Sequence, residues 1–516
     1  MTSALAQQHD AVLAENAMLH EQVAQLKHQL DWFKRQLFGA KSEKRIDIDT
    51  SHQADLLAGL GITPAPIDAV PTEQITYQRR KKQRDANTVS DTGLRFDDGV
   101  PVQTIELPNP EVDDLPDDEL EQISEKVSYR LAQRPGSYVI LKYVRKVVKR
   151  RETQTLHTAL MPENVLEKSI ADVSFLAGML VDKFLYHLPL YRQHQRLQHS
   201  GITLSRATLT NLVRRSIELL APIVDVQLAN ILLSKVLAMD ETPIKAGRKQ
   251  KGKMRQAYLW PVHGDQNEIV FRYTSTRDHR HVNEILGEDY TGTLLTDGYA
   301  AYARYADARD TLTHAQCWSH TRRYFERALD AEPQAVEEAL ALIGAVYGHE
   351  KTIRKKSLTG KEKLAYRSKH SEPVITAFWA WCVQQCHRPD LLPSNPLSKA
   401  LKYAMNRQAS LQAFLSDPDI PLDTNHVERA LRPIPMGRKN WLFCWTEIGA
   451  EQVGIIQSLL VTCKLQGVDP YTYLVDVLQR VSQHPASRVI ELTPRVWKKT
   501  FSDNPLRSDL NIRTAQ

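Results

Sequence analysis

The stretch KVLAMDETPIKAG (235–247) runs an apolar segment, Val236 to Met239, straight into two acids, Asp240 and Glu241. Four apolar residues closed by carboxylates read as a buried strand whose end leaves the core. Three strand-like runs follow one another from there, KVLAMDETPI (235–244), QAYLWPVHG (256–264) and NEIVFRYTST (267–276), separated by polar or glycine-containing turns. A helical pattern, HRHVNEILGE (279–288), comes next, then a short strand, GTLLTDGYA (292–300), a helix around Tyr302 and a strand, TLTHAQCW (311–318).

Three strands, helix, strand, helix, strand is the order of a ribonuclease-H-like α/β core, placed at 231–318. Residues 319–420 read as an all-helical insertion, and the core resumes over 421–449 with a helix at about 423–432. A helical tail, 450–516, is broken at QGVDPY (466–471). The fold class expected is multidomain, α plus α/β.

Upstream, residues 1–38 carry a heptad repeat, with Leu5, Val12, Leu19, Leu26 and Phe33 at one position and Asn16, Val23, Leu30 and Leu37 at the other. Such a narrow stripe, flanked by Glu15, Gln22, Lys27 and Lys34, predicts a parallel coiled coil, with Asn16 fixing its register. A homodimer or higher oligomer follows from it. Residues 39–135 are rich in Pro, Asp and Lys/Arg and read as a partly disordered linker, and 136–160 as a small strand region. Residues 161–230 are helical. Within them, 189–220 has the pattern of a helix-turn-helix, with a turn at Gly201, Ser205 as N-cap and Leu209, Leu212 and Val213 facing inward. Arg206, Thr210, Asn211 and Arg214 would then face DNA; the plain alternative is an ordinary helical hairpin.

The 516 residues exceed one core, and the composition, 42% hydrophobic and 25% charged, is that of a soluble chain. No apolar run reaches a membrane span and no signal-peptide core opens the chain, so a cytoplasmic protein is expected. Five cysteines, an odd number and widely scattered, argue against a secreted disulfide scaffold. Net charge is +6, and four basic runs (78–84, 144–152, 248–255, 429–441) stand beside an acidic stretch at 112–126, which favours a polyanionic partner.

Three acids occupy special places: Asp240 at the end of the first strand, Asp297 at the end of the fourth, and Glu428 on the helix after the insertion. Two Mg²⁺ or Mn²⁺ ions take hard oxygen ligands, and acids converging from separate elements can surround them. Strand alternation predicts that Asp240 faces this site and Glu241 points away, toward solvent or a basic neighbour. Helical spacing places Asn425 beside Glu428, and Arg429, Arg432, Arg438 and Lys439 could hold phosphates, with Trp441 free to stack on a base. His320, with Arg322 and Arg323 on a helix just after the fifth strand, approaches the site too.

The segments QLFGAKSEK (36–44), MDETPIKAG (239–247), LLTDGYAAY (294–302), CWSHTRRYFERA (317–328), NHVERALRPIPMGRKNWLF (425–443) and SLLVTCKLQGVDPYTYL (458–474) resemble transposases of the insertion-sequence-66 family. The resemblance covers 1–45 and roughly 160–500. It implies a DDE transposase with Asp240, Asp297 and Glu428 as catalytic metal ligands. Its partners would be double-stranded DNA (element ends and target) and small accessory proteins, and it would be nucleoid-associated when bound. The chain departs from the family in one respect. Members usually carry a Cys-rich zinc-finger-like segment, but residues 45–316 contain no cysteine, so no zinc is expected in the N-terminal half. Cys382 and Cys386, beside Trp379 and Trp381, read as a packed helix face, and Cys317, Cys463 and Cys444 as buried. Competing readings are a non-catalytic DNA-binding or assembly protein derived from a transposase, a two-carboxylate glycosidase, and a tyrosine recombinase using Tyr299 or Tyr302.

Overall fold

The computed structural model describes residues 94–511, except 114, 117, 118, 135, 251, 252 and 442–445. The expected coiled coil, the 78–84 basic run and Cys444 lie outside the described residues. The chain divides into two units, residues 1–86 with 327–334 and residues 87–326 with 335–516; the fold below is that of the second.

Its N-terminal part is β-rich. Strands β1 (Arg95–Phe96), β2 (Val102–Glu106), β3 (Leu120–Arg134), β4 (Ser137–Arg150) and β5 (Leu156–Thr158) come first. β3 and β4 form a long antiparallel hairpin, β2 lies parallel to β4, and β5 pairs with β4. The linker expected over 39–135 therefore gives way to sheet before its end. Residues 121–127 of β3 are solvent-exposed, so that half carries no apolar alternation to betray it.

Helices Val173–Phe184, Leu190–His199 and Arg206–Ile231 follow, with β6 (Ile202–Thr203) pairing with β1 in the turn between the last two. Ser205 caps the third helix by accepting from the Thr208 N–H, and Gly201 takes the left-handed turn at φ 76°. Leu209, Leu212 and Val213 are buried, as their spacing requires.

The central sheet comprises β7 (Val236–Met239), β8 (Thr242–Gln250), β9 (Lys253–His263), β10 (Ile269–Thr274), β11 (Thr293–Thr296) and β12 (Thr313–Gln316). Its order is β10-β9-β7-β11-β12, with β8 paired to β9 beyond the end of β7. The run 235–244, expected as one strand, is thus two. Continuing the β7–β9 register (Ala238 with His263, Met239 with Val262) brings Asp240 opposite Pro261, which has no N–H to donate. The ladder lapses there and resumes at Thr242 with Leu259.

At the outer edge, the Phe271 N–H donates to Ser458 Oγ (2.9 Å) and the Ile269 N–H to Thr462 Oγ1 (3.2 Å). Two hydroxyls of helix Glu447–Gln466 thereby occupy edge donors that a further strand would otherwise take. Helices Arg280–Leu286 and Ala300–Asp307 interleave β10, β11 and β12 along the chain.

From Trp318 to Leu415 the regular elements are all helices, including Trp318–Glu326, Pro333–Lys355, Glu372–Cys386 and Pro396–Met405, and the chain returns as helix Asn425–Leu431. Arg367, fully buried, ties this stretch together. Its guanidinium makes two bonds to Glu350 and one each to the carbonyls of Phe414, Asp417 and Ile420. The chain is thereby fixed just before it re-enters as the 425–431 helix. Helix Glu447–Gln466 ends at Gly467 in the left-handed region, and Asp469 caps Pro470–Arg480.

Arg367→Met strands a buried carboxylate and three carbonyls, so urea unfolding should show about 3–5 kcal/mol lost. Arg367→Lys, lacking the planar fork, should recover only part of it.

Candidate active site

β7 and β11 run parallel, with Val236 beside Thr293, Leu237 beside Leu294 and Ala238 beside Leu295. All eight residues of the two strands are buried, and both strands end at the same edge of the sheet. The register carried two residues further sets Asp240 level with Asp297. Two acids 57 residues apart in sequence are therefore neighbours because 57 is the offset of the pairing.

One oxygen each from Asp240, Glu241 and Asp297 lies within 4.8 Å of the others. The expectation that Glu241 points away is corrected. Asp240 and Glu241 sit in the gap between β7 and β8, outside regular strand, so alternation does not govern them. Asp240 Oδ1 accepts the Glu241 N–H at 2.8 Å, and the Glu241 side chain is only 4% exposed. Glu241 accepts from Tyr302 Oη (2.6 Å) and pairs with Arg277, whose guanidinium lies 3.8 Å from the Tyr299 ring centre. The basic neighbour foreseen for Glu241 exists, but it reaches Glu241 inside the acid group.

Burial first, then the Glu241 charge and those of Asp297 and Glu428, pushes the Asp240 carboxyl up to about 7. Burial likewise raises Glu241, against the opposing effects of its Tyr302 bond and Arg277. Asp297 Oδ1 accepts the Tyr299 N–H (2.8 Å). Gly298 beside it is required by a close approach: a Cβ there would come within 2.5 Å of Tyr403 Oη and 2.8 Å of Arg407 Nε. Arg407 also donates to the Gly298 carbonyl (3.1 Å), so the helical stretch leans directly on the Asp297 turn.

Glu428 lies in the first turn of helix 425–431, outside the 4.8 Å group. The helix start is tied to the end of β12, where the Thr424 N–H and hydroxyl both donate to Cys317 Sγ (3.2 Å). Arg323 donates to both Glu428 oxygens, at 2.6 Å for Oε1, and His320 Nε2 stands 3.7 Å from Oε1. Arg322 pairs instead with Glu326. The Asn425 amide is engaged by Asp423 (2.6 Å).

Trp441, expected to be free for a base, is 2% exposed and packs on Phe184 and His187 at ring distances of 5.8 and 5.6 Å. Gly437 makes room for the indole, since a Cβ there would collide with the ring. Arg429, Arg432, Arg438 and Lys439 are exposed, with no ion pair among the described residues. Arg206, Thr210, Asn211 and Arg214 share an exposed helix face, where Arg214 binds Glu218 (2.8 Å) and Asn211 (3.1 Å). Cys317, Cys382 and Cys463 are buried and Cys386 is exposed.

An all-carboxylate donor set of this spacing suits a hard divalent cation such as Mg²⁺ or Mn²⁺. Sequence reasoning turned Glu241 away from the site and missed Arg277 and the Tyr403–Arg407 brace; Pro261 opposite Asp240 was the one signal that could have corrected the first.

The raised Asp240 group favours the folded state below its unfolded value near 4, and that contribution is lost as pH climbs through about 7. In chelator, wild-type protein should be less stable at pH ~8 than at pH ~5 by up to about 3 kcal/mol from this group. Thermal unfolding of Asp240→Asn should show a smaller difference between the two conditions.

A family model described as "Transposase IS66 family" matches residues 168–452, and one described as "IS66 C-terminal element" matches 458–495. A third, "Transposase C of IS166 homeodomain", matches 25–91. Uncharacterized protein y4jD of Sinorhizobium fredii is 28% identical over 95% of this chain and 98% of its own length. Uncharacterized proteins y4hP and y4qI of the same organism are 28% and 29% identical, over 74% and 73% of this chain and 72% of each relative. The first match spans more than half of the chain and takes in both strand ends and the Glu428 helix, and on it the chain belongs to the IS66 family of transposases.

Proposed function

We propose that the chain is a DDE-type DNA transposase that binds the terminal inverted repeats of its element and carries out metal-dependent strand cleavage and strand transfer. The observation that carries the reading is the register that sets Asp240 level with Asp297 inside the matched segment. The sheet order, antiparallel β10-β9-β7 continued by parallel β11 and β12, supports a ribonuclease-H-like core with a helical insertion.

Asp240, Asp297 and Glu428 would hold two Mg²⁺ or Mn²⁺ ions. Bound there, the ions would supply activation of the attacking oxygen and stabilisation of the leaving one. The chain's own residues would position the DNA. Arg429, Arg432, Arg438 and Lys439 are uncompensated cations on and just beyond the Glu428 helix, suited to phosphates. Arg206, Thr210, Asn211 and Arg214 present a polar face at the start of a capped helix, suited to the major groove. Pairing through residues 1–38 would give the dimer. No helix among the described residues is long and apolar enough to cross a membrane, and we place the activity in the cytoplasm, at the nucleoid.

Asp240→Asn, Asp297→Asn and Glu428→Gln should each abolish nicking and joining of terminal-repeat DNA with Mn²⁺ while end binding stays intact; a variant that joins ends at the normal rate would sink the assignment. Arg429→Gln with Arg432→Gln should weaken binding across sequences and lower the slope of log affinity against log salt by about 1 per residue. A second reading, a non-catalytic DNA-binding or assembly protein, is favoured by one observation, the engagement of Glu428 by Arg323. Binding without chemistry under any divalent metal would select it.

A further inference from the structure

Four carboxylates and two guanidiniums meet where β7 and β11 end. Arg277 holds Glu241, and Arg323 holds both oxygens of Glu428. Among the described residues, the carboxylates of Asp240 and Asp297 accept only backbone N–H groups, from Glu241 and Tyr299. With the acids ionised, Glu241 and Glu428 each have an arginine in contact, whereas Asp240 and Asp297 have no ion pair among the described residues, and two such carboxylates suit one divalent ion. The uncompensated pair lies inside the 4.8 Å group with Glu241, while Glu428 stands outside that group with its own counter-ion.

We propose that Arg323 controls the loading of the site: the DNA-free chain takes one divalent cation at Asp240, Glu241 and Asp297, and takes a second only when Arg323 exchanges Glu428 for a DNA phosphate. This rests on the metal-dependent reading above and extends it to the order of assembly, to Glu241 as a fourth carboxylate and to Arg323 as a positioning residue. The exchange is chemically even. A guanidinium fork fits carboxylate and phosphate alike, so the arginine trades one anion for another. Glu428, once released, carries a full charge toward the acid group. The Arg323 side chain is 40% exposed, so a polyanion arriving at this edge can reach it. With Arg323 in place, a second cation would have to approach a carboxylate already neutralised, beside a positive charge.

The test counts Mn²⁺ bound to the full-length, DNA-free protein by the electron paramagnetic resonance of the free ion. Wild type and Glu428→Gln should bind one ion per chain. Arg323→Gln should gain a second site, at least about tenfold tighter than any second binding by wild type, and Arg323→Lys, which keeps the charge, should restore the count of one. Independently of any variant's folding, adding duplex DNA should bring out a second site in wild type beyond the ions that the same DNA binds alone; Glu428→Gln should show none. Two equivalent sites in the DNA-free wild type, a count that DNA does not raise, or a folded Arg323→Gln that still binds one ion would each overturn the proposal. Glu241→Gln should weaken the first site, and an unchanged first site would remove Glu241 from it. Failure of the underlying reading looks different: no Mn²⁺ bound by wild type, or a first ion retained by Asp240→Asn.

Discussion

Everything at the acidic edge depends on the pairing of two four-residue strands. β7 and β11 are each too short to carry a site alone, but each is buried along its whole length and held in a parallel ladder. Parallel neighbours end at the same edge, so one register decides that Asp240 and Asp297 meet and that their charges crowd. The crowding then dictates the surroundings. A carboxylate pair taken from water needs cations or hydrogen-bond donors nearby, and the chain supplies Arg277, Arg323, Tyr302 and two backbone N–H groups.

Glu428 reaches this edge by a long route, and three anchors shorten it. Arg367 gathers the carbonyls of the returning chain, Cys317 receives the two donors of Thr424, and Arg407 braces the Asp297 turn from the helical side. None of these residues offers a ligand to the acid group. They show why a stretch of about a hundred residues between β12 and the Glu428 helix does not loosen the site: its ends are fixed to the same sheet edge that carries the other acids.

The strand ends at Asp240 and Asp297 were legible because an apolar run stopping at an acid is a local signal, and so was the inward face of the 206–231 helix. What escaped was set by partners far away in sequence. Glu241 was assigned by alternation within one strand, but the lapse that frees it comes from Pro261 on the neighbouring strand. Trp441 looked like an exposed aromatic among cations, but Phe184, more than 250 residues earlier, covers it. β3 was hidden for the opposite reason, since half of it faces water and shows no apolar period.

The hydroxyls of Ser458 and Thr462 have a consequence for the growing chain. They close the β10 edge, yet they belong to a helix made more than a hundred residues after the last strand of the sheet. At ordinary rates of synthesis the interval is on the order of ten seconds. During it the Ile269 and Phe271 amides have no partner from the C-terminal helix, and an open edge of this kind can pair with another strand. The C-terminal segment is therefore a late closure of the sheet edge as well as a packing layer.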